Sequence, residues 1–196
     1  MILKPPKGAM VNRGHNLSRG LVGLWLMNEG GGNIVNDISG NGNTGSLVAD
    51  THFVAGKFGS GIDFDGDGGT IQVPYSSELS PSTGLSIVMW AYIREWKTDG
   101  SLLIKNGSCL FEVNNSTEFR LYCYGLTTPS ITKAIASYSL DRWYQIIGTY
   151  NGNRLALFVD GIEVAGVSSS GSISENTNDL YINRIWPCCY SRGDFF

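Results

Sequence analysis

The 196-residue sequence predicts an all-β fold, a sandwich or barrel of short antiparallel strands. Three observations carry that expectation. The 26 glycines follow no Gly-X-Y period, so they mark tight turns, and many turns imply many short strands. No window of 12 residues places its apolar groups at the helical period. Asn151-Gly152 and Asp160-Gly161 each join two apolar runs, and both dipeptides tolerate the positive φ angles of tight hairpin turns.

In chain order, residues 1–19 are polar and interrupted by Pro5, Pro6, Gly8 and Gly14, which reads as an arm without a core of its own. A single domain is expected over residues 20–196. Leu21 to Met27 is a short apolar run closed by Asn28-Glu29-Gly30-Gly31-Gly32, the punctuation of a buried strand with Trp25 in the core. Leu85 to Ile93 is apolar at both parities, as a central strand covered on both faces would be, and this puts Trp90 in the core as well. Ser101 to Lys105, Cys109 to Val113 and Glu118 to Tyr124 follow as strand-length segments between Asn- and Ser-rich turns. Trp143 to Tyr150, Arg154 to Val159 and Ile162 to Ala165 then form a three-stranded meander. No internal repeat is present.

The composition excludes several classes. Hydrophobic residues at 42% against 16% charged residues describe a folded chain. A net charge of -3 with no run of Lys or Arg gives no footprint for nucleic acid. No apolar run approaches the roughly 20 residues that cross a bilayer. The prolines at positions 5 and 6 interrupt the place where a secretory leader would be apolar, so an extracellular role would need another route, such as assembly into a virion. Four cysteines are too few for a disulfide-built scaffold. Cys109 and Cys123 flank one turn and can face each other, either as a cross-strand disulfide or as two buried thiols. Cys188 and Cys189 have no companion pair at zinc-ligand spacing.

Ordered blocks carry a family resemblance. Leu21-Val22-Gly23-Leu24-Trp25 with Asn28-Glu29-Gly30, the loop Asp37 to Gly45, the block Gly56 to Gly66, the strand Ile87 to Trp90, and Asp141-Arg142-Trp143 through Val159-Asp160-Gly161 resemble, in sequence order, bacterial and phage laminin-G-like domains of the concanavalin A-like lectin/glucanase superfamily. The resemblance implies a two-sheet antiparallel jelly-roll sandwich. It also implies a closing acidic, apolar strand after Leu180-Tyr181-Ile182, which this sequence lacks. The expectation is therefore an open sheet edge, completed by further chain or by β-augmentation from a protein neighbour.

The resemblance also frames function. It implies a module recognising a carbohydrate or cell-surface glycan, possessing calcium near the loop Asp37 to Asn43. Asp37, Gly40 and Asn43 are the candidate ligands, because oxygen donors on a flexible turn suit that ion. The same residues also suit an Asx-turn cluster that only shapes the loop. Asp65 and Asp67 make a second, weaker acidic pair. Sugars stack on aromatic faces, and Trp96, Tyr124, Trp186 and Tyr190 are the candidate contacts, with Tyr75 also outside the clear strands. Catalysis lacks a basis: the Glu-x-Asp-x-Glu series of the superfamily's retaining glycosidases is absent, His15 falls in the arm and His52 in a loop. Arg192-Gly193-Asp194 and the glycosylation patterns at Asn106 and Asn115 are short enough to arise by chance. The rival expectation is a purely structural phage decoration or tail component making only protein contacts.

Overall fold

The computed structural model describes residues 5, 8–64, 68–95, 100–114, 118–134 and 138–185. Its strands, numbered β1 to β14 along the chain, pair only in antiparallel fashion. The helical turns among the described residues are the three-residue 3-10 segments Asn16–Ser18 and Ser77–Leu79. The architecture is an all-β sandwich.

The larger sheet has eight strands in the order β1 (Ile34–Val35), β2 (Gly45–Val48), β5 (Thr70–Val73), β14 (Leu180–Ile185), β7 (Gly100–Lys105), β8 (Cys109–Asn114), β9 (Glu118–Cys123) and β10 (Ser130–Ala134). The smaller has four, β13 (Ile162–Ser168), β12 (Arg154–Val159), β11 (Arg142–Tyr150) and β6 (Leu85–Ile93). A separate hairpin joins β3 (Thr51–Gly56) to β4 (Gly59–Phe64). His52 therefore lies on a strand and not in a loop.

Register fixes which side chains share a face, because successive residues of a strand point to opposite sides. One row across the larger sheet is Ile71, Ile182, Leu103, Phe111, Leu121 and Ile131. This row faces inward. Phe111 and Leu121 are fully buried and pack with Ile146, Leu155 and Leu157 of the smaller sheet. A Cβ placed on Gly148 of β11 would lie 3.1 Å from Leu121 Cδ2 and 3.5 Å from Phe111 Cε1, so the sheets meet where β11 has no side chain. The hydroxyl of the buried Tyr150 lies 2.7 Å from Gly171 O and 2.9 Å from Gly152 O, which share its one proton and satisfy the polar end of the side chain.

The meander forms as expected, but its two turns differ. Asp160 and Gly161 both have positive φ, 50° and 80°, the pattern of a type I′ turn. In the other turn Gly152 carries positive φ while Asn151 does not, and the Asn151 carboxamide oxygen accepts from the backbone amides of Asn153 and Arg154. Asn151 works there as an Asx cap and Gly152 as the first central residue.

Two elements depart from expectation. Leu21 to Met27 is extended and half-buried, yet its one bridge joins Trp25 to Asp37. The backbone groups of this segment are spent on the Asp37 loop instead of a ladder: Leu24 N–H donates to Asp37, while Leu21 O and Val22 O accept from Asn41 and Asn43. Trp25 packs over a second apolar cluster around Val35, Ile71, Val73, Leu79 and Leu180. Strand β6, in turn, is an edge strand paired to β11 on one side. Ile87 and Ile93 are buried against the other sheet, whereas Val88, Trp90 and Tyr92 are 60%, 41% and 45% exposed. Trp90 is therefore not a core residue, because only one face of β6 is covered. Among the described residues β6 and β13 are the two edges of the smaller sheet, and β1 and β10 those of the larger.

Candidate functional site on the outer face of the larger sheet

The next row across the eight-stranded sheet lies on the face opposite the core, where Ile104 and Leu110 are still buried and Tyr122 is half-exposed. It runs through Gln72, Tyr181, Ile104, Leu110, Tyr122 and Ser130. Beside it lies a polar row of Ser101, Glu112, Arg120 and Thr132. Glu118, Arg120 and Tyr122 occupy alternate positions of β9, so all three project from this face.

The chemistry of these rows is concentrated at β8 and β9. Arg120 donates from Nε to Glu112 Oε1 at 2.6 Å and from a terminal nitrogen to the same oxygen. The Glu112 side chain is 3% exposed and that of Arg120 28%, so the carboxylate is sunk and the guanidinium reaches solvent. Burying a charge is tolerable only where a partner compensates it, and Arg120 supplies that partner. Directly opposite Glu112 on β7, the hydroxyl of Ser101 is buried and has no hydrogen-bond partner. Tyr122 lies with its ring 5.8 Å from the guanidinium carbon of Arg120 and packs edge-on against Tyr124 at 4.7 Å between ring centroids.

Tyr124 is held in place by its backbone. Its N–H donates to Ser108 O at 2.8 Å and its carbonyl accepts from Ser174 N–H at 2.9 Å. The chain then turns at Gly125, where φ is 89° and an added Cβ would sit 2.3 Å from Ser172 O. Only glycine fits that turn. Tyr124, expected to contact a ligand, thus joins three residues not singled out for that role: Tyr122, Arg120 and Ser101. The sequence signal of Arg120 and Tyr122 is the period-two alternation Glu118, Arg120, Tyr122, Tyr124, whereas Ser101 joins them only through strand pairing.

The outer face of the smaller sheet carries a second set of aromatics. Trp90 meets the edge of Phe58 at 5.5 Å and has the Lys57 ammonium 4.5 Å above its ring, while Tyr92 packs against Trp143 at 5.5 Å. These rings cover one another. At the rim, Tyr75 is 43% exposed, with the Lys105 ammonium 4.9 Å from its ring. Burial lowers the pKa of Lys105, against the opposing pull of Asp179.

Asp37, Gly40 and Asn43 do share one loop. Asp37 Oδ1 accepts from Leu24 N–H at 2.9 Å and Ser39 N–H at 2.8 Å, and Oδ2 accepts from Ser39 Oγ at 2.8 Å and Asn43 N–H at 2.9 Å. Burial pushes the Asp37 carboxyl up, but these hydrogen bonds outweigh it and hold the pKa below its ordinary value. The Asn43 side chain donates to Val22 O at 2.8 Å and accepts from Ser76 Oγ at 2.6 Å. At Gly40, φ is 90° and an added Cβ would lie 3.1 Å from the Arg13 guanidinium, which itself bonds Ser39 O and Asn41 Oδ1. A calcium ion needs six to eight oxygen lone pairs pointing at it. Here the carboxylate oxygens face four protein donors and a guanidinium lies beside the loop, so the donor set as arranged does not fit the ion. It does fit an Asx-turn cluster that ties Leu21–Leu24 to the loop.

Trp96, Trp186 and Tyr190 lie outside the described residues, as do Asp65, Asp67, Cys188, Cys189 and Arg192-Gly193-Asp194.

A sequence model described as the concanavalin A-like lectin/glucanases superfamily, of laminin-G type, matches residues 65–195. The chain belongs to this superfamily. The two-sheet antiparallel jelly-roll sandwich expected from the sequence is its fold. No curated protein matches the sequence significantly. Solved structures similar to this superfamily member include domain 4 of an extracellular arabinanase from Geobacillus stearothermophilus in complex with arabinotriose, at 14% identity and a TM-score of 0.53, covering 76% of this chain and 86% of that one. The binding domain of botulinum neurotoxin serotype C1 aligns at 14% identity and a TM-score of 0.57 over 82% of this chain, which spans 43% of the toxin chain. A Trypanosoma rangeli sialidase in complex with sialic acid aligns at 17% identity and a TM-score of 0.56, over 83% of this chain and 27% of the sialidase. Likeness at these identities is likeness of fold.

Proposed function

We propose that the chain is a non-catalytic glycan-binding module whose ligand lies on the outer face of the eight-stranded sheet, around Tyr122 and Tyr124. The carrying observation is the meeting of two tyrosine rings with an arginine that reaches solvent from a buried glutamate partner. A sugar ring offers an apolar face to an aromatic side chain and hydroxyl groups, both donors and acceptors, at its rim. Arg120, whose guanidinium reaches solvent, supplies donors, and the buried Glu112 carboxylate holds it in place. The ligands in the structures of similar fold, arabinotriose and sialic acid, support this ligand class. Glu112 is committed to Arg120, which suits a binding group better than an acid or base that must exchange protons during turnover.

Binding on this face needs no metal, since the Asp37 loop takes no part in it. The test is a glycan array that includes arabinotriose and sialylated oligosaccharides, read in calcium and again in EDTA. Binding to at least one glycan, equal in both buffers and reduced about tenfold or more by Tyr122→Ala, is expected; tenfold corresponds to about 1.4 kcal/mol. No binding to any glycan in either buffer overturns the proposal.

A further inference from the structure

Cys109 and Cys123 are directly opposite in the β8–β9 pairing, and both are buried. The hydrogen bonds around them fix the kind of pair they form. Tyr124 N–H donates to Ser108 O, which puts the ladder bond at the 108/124 pair, and Cys123 N–H points the other way, to Pro129 O. Along an antiparallel ladder, hydrogen-bonded and non-hydrogen-bonded pairs alternate. Cys109 and Cys123 are accordingly a non-hydrogen-bonded pair, the type whose Cα atoms approach to about 4.5 Å and whose side chains lie closest. That separation falls within the range of roughly 4.4–6.8 Å spanned by disulfides. Both side chains project to the inner face, where the thiols interact with each other.

We propose that Cys109 and Cys123 are a modification site, closing to a cross-strand disulfide by exchange with a small-molecule disulfide. One cysteine, as its thiolate, attacks the small disulfide, forming a mixed disulfide and releasing one small thiolate. The second cysteine thiolate then attacks the protein sulfur of that mixed disulfide and releases the other small thiolate. Two protein thiols lose two protons and two electrons in total, and one small disulfide is reduced to two thiols. The bond staples β8 to β9, the two strands that carry Glu112, Arg120 and Tyr122.

The neighbouring thiol and burial both raise the Cys109 pKa, so thiolate forms in quantity only when the strands are still open. Closure therefore accompanies folding and is slow in the finished sandwich. The experiment refolds the full chain, carrying Cys188→Ser and Cys189→Ser to leave a single thiol pair, from denaturant in a buffer of reduced and oxidised glutathione. Alkylation under denaturing conditions and peptide mass mapping follow. The expected product takes up no alkylating agent, is two hydrogens lighter than the reduced chain, and yields one linked peptide pair containing Cys109 and Cys123. Native protein exposed to the same buffer without unfolding should form this link at least tenfold more slowly. Two alkylated cysteines after refolding, or glutathione left on either cysteine, overturns the proposal. The readout involves no glycan and is independent of the binding reading.

Discussion

Replacing Asp37 by asparagine keeps the size of the side chain while removing its charge and one acceptor, so it separates a structural carboxylate from a metal-binding one. An asparagine can keep Oδ1 against Leu24 N–H and Ser39 N–H, the two bonds of 2.9 and 2.8 Å. Its NH2 group then faces Asn43 N–H, which loses its acceptor, while Ser39 Oγ can rotate to accept. Two bonds to a charged oxygen become bonds to a neutral one, a loss of about 0.5–1 kcal/mol each, and an orphaned amide adds about 1–3 kcal/mol. Because Asp37 is only half-buried, the lower part of that sum applies, roughly 2–3 kcal/mol. The assay is urea denaturation of wild type and Asp37→Asn, each in EDTA and in millimolar calcium. The same loss is expected in both buffers. Equal stability of the two proteins in EDTA, with a difference only when calcium is present, would refute the reasoning and restore the loop as a calcium site. The sign with pH is also fixed. The folded Asp37 pKa lies below its unfolded value, so its contribution is complete above the unfolded carboxylate range, near pH 4, and is lost as pH falls through the folded value. Asp37→Asn should flatten that part of the acid-denaturation curve.

Arg120→Met leaves the Glu112 carboxylate buried without its counter-ion and should cost about 3 kcal/mol, most of which Glu112→Gln in the same chain should recover; a double-mutant cycle with coupling under about 0.5 kcal/mol contradicts the pairing. Tyr150→Phe removes the hydroxyl shared by Gly152 O and Gly171 O, which water can reach, and should cost about 0.5–1.5 kcal/mol in urea denaturation. With Cys109 and Cys123 joined, the closed loop runs to 15 residues, which the chain-entropy relation converts to about 3 kcal/mol of stability over the reduced form. A midpoint unchanged by reductant would count against a strain-free link.

The parts of the fold that sequence revealed are those whose signal is local. The meander of β11, β12 and β13 was marked by apolar runs meeting Asp160-Gly161 and Asn151-Gly152, because turn chemistry is written in the two or three residues that make the turn. Trp90 was misplaced for the opposite reason. An apolar strand reads the same whether its second face is covered or bare, and only the packed sandwich shows Val88, Trp90 and Tyr92 on the uncovered face of β6. Leu21 to Met27 had the composition of a strand, but a strand exists only with a partner, and its carbonyls went to Asn41 and Asn43.

For the candidate site, Tyr124 was found as an aromatic near a turn, whereas Arg120 and Tyr122 were hidden inside a segment recognised only as a strand. Their alternation with Glu118 was legible. What made it a site, the cross-strand meeting with Glu112 and Ser101, depends on register between β7, β8 and β9. The loop Asp37 to Asn43 shows the converse: the residue types suit an ion, and only the direction of Leu24, Ser39 and Asn43 donors shows the carboxylate to be already satisfied.

The central claim is that a glycan binds on the outer face of the larger sheet. Its most direct test is a backbone amide chemical-shift titration with the strongest ligand from the glycan array, in EDTA. The account predicts that saturable shifts cluster on β7, β8 and β9 around Ser101, Glu112, Arg120, Tyr122 and Tyr124, and that they vanish in Tyr122→Ala. Shifts confined to β6 and β11 around Trp90, Tyr92 and Trp143, or to the Asp37 loop, would contradict it.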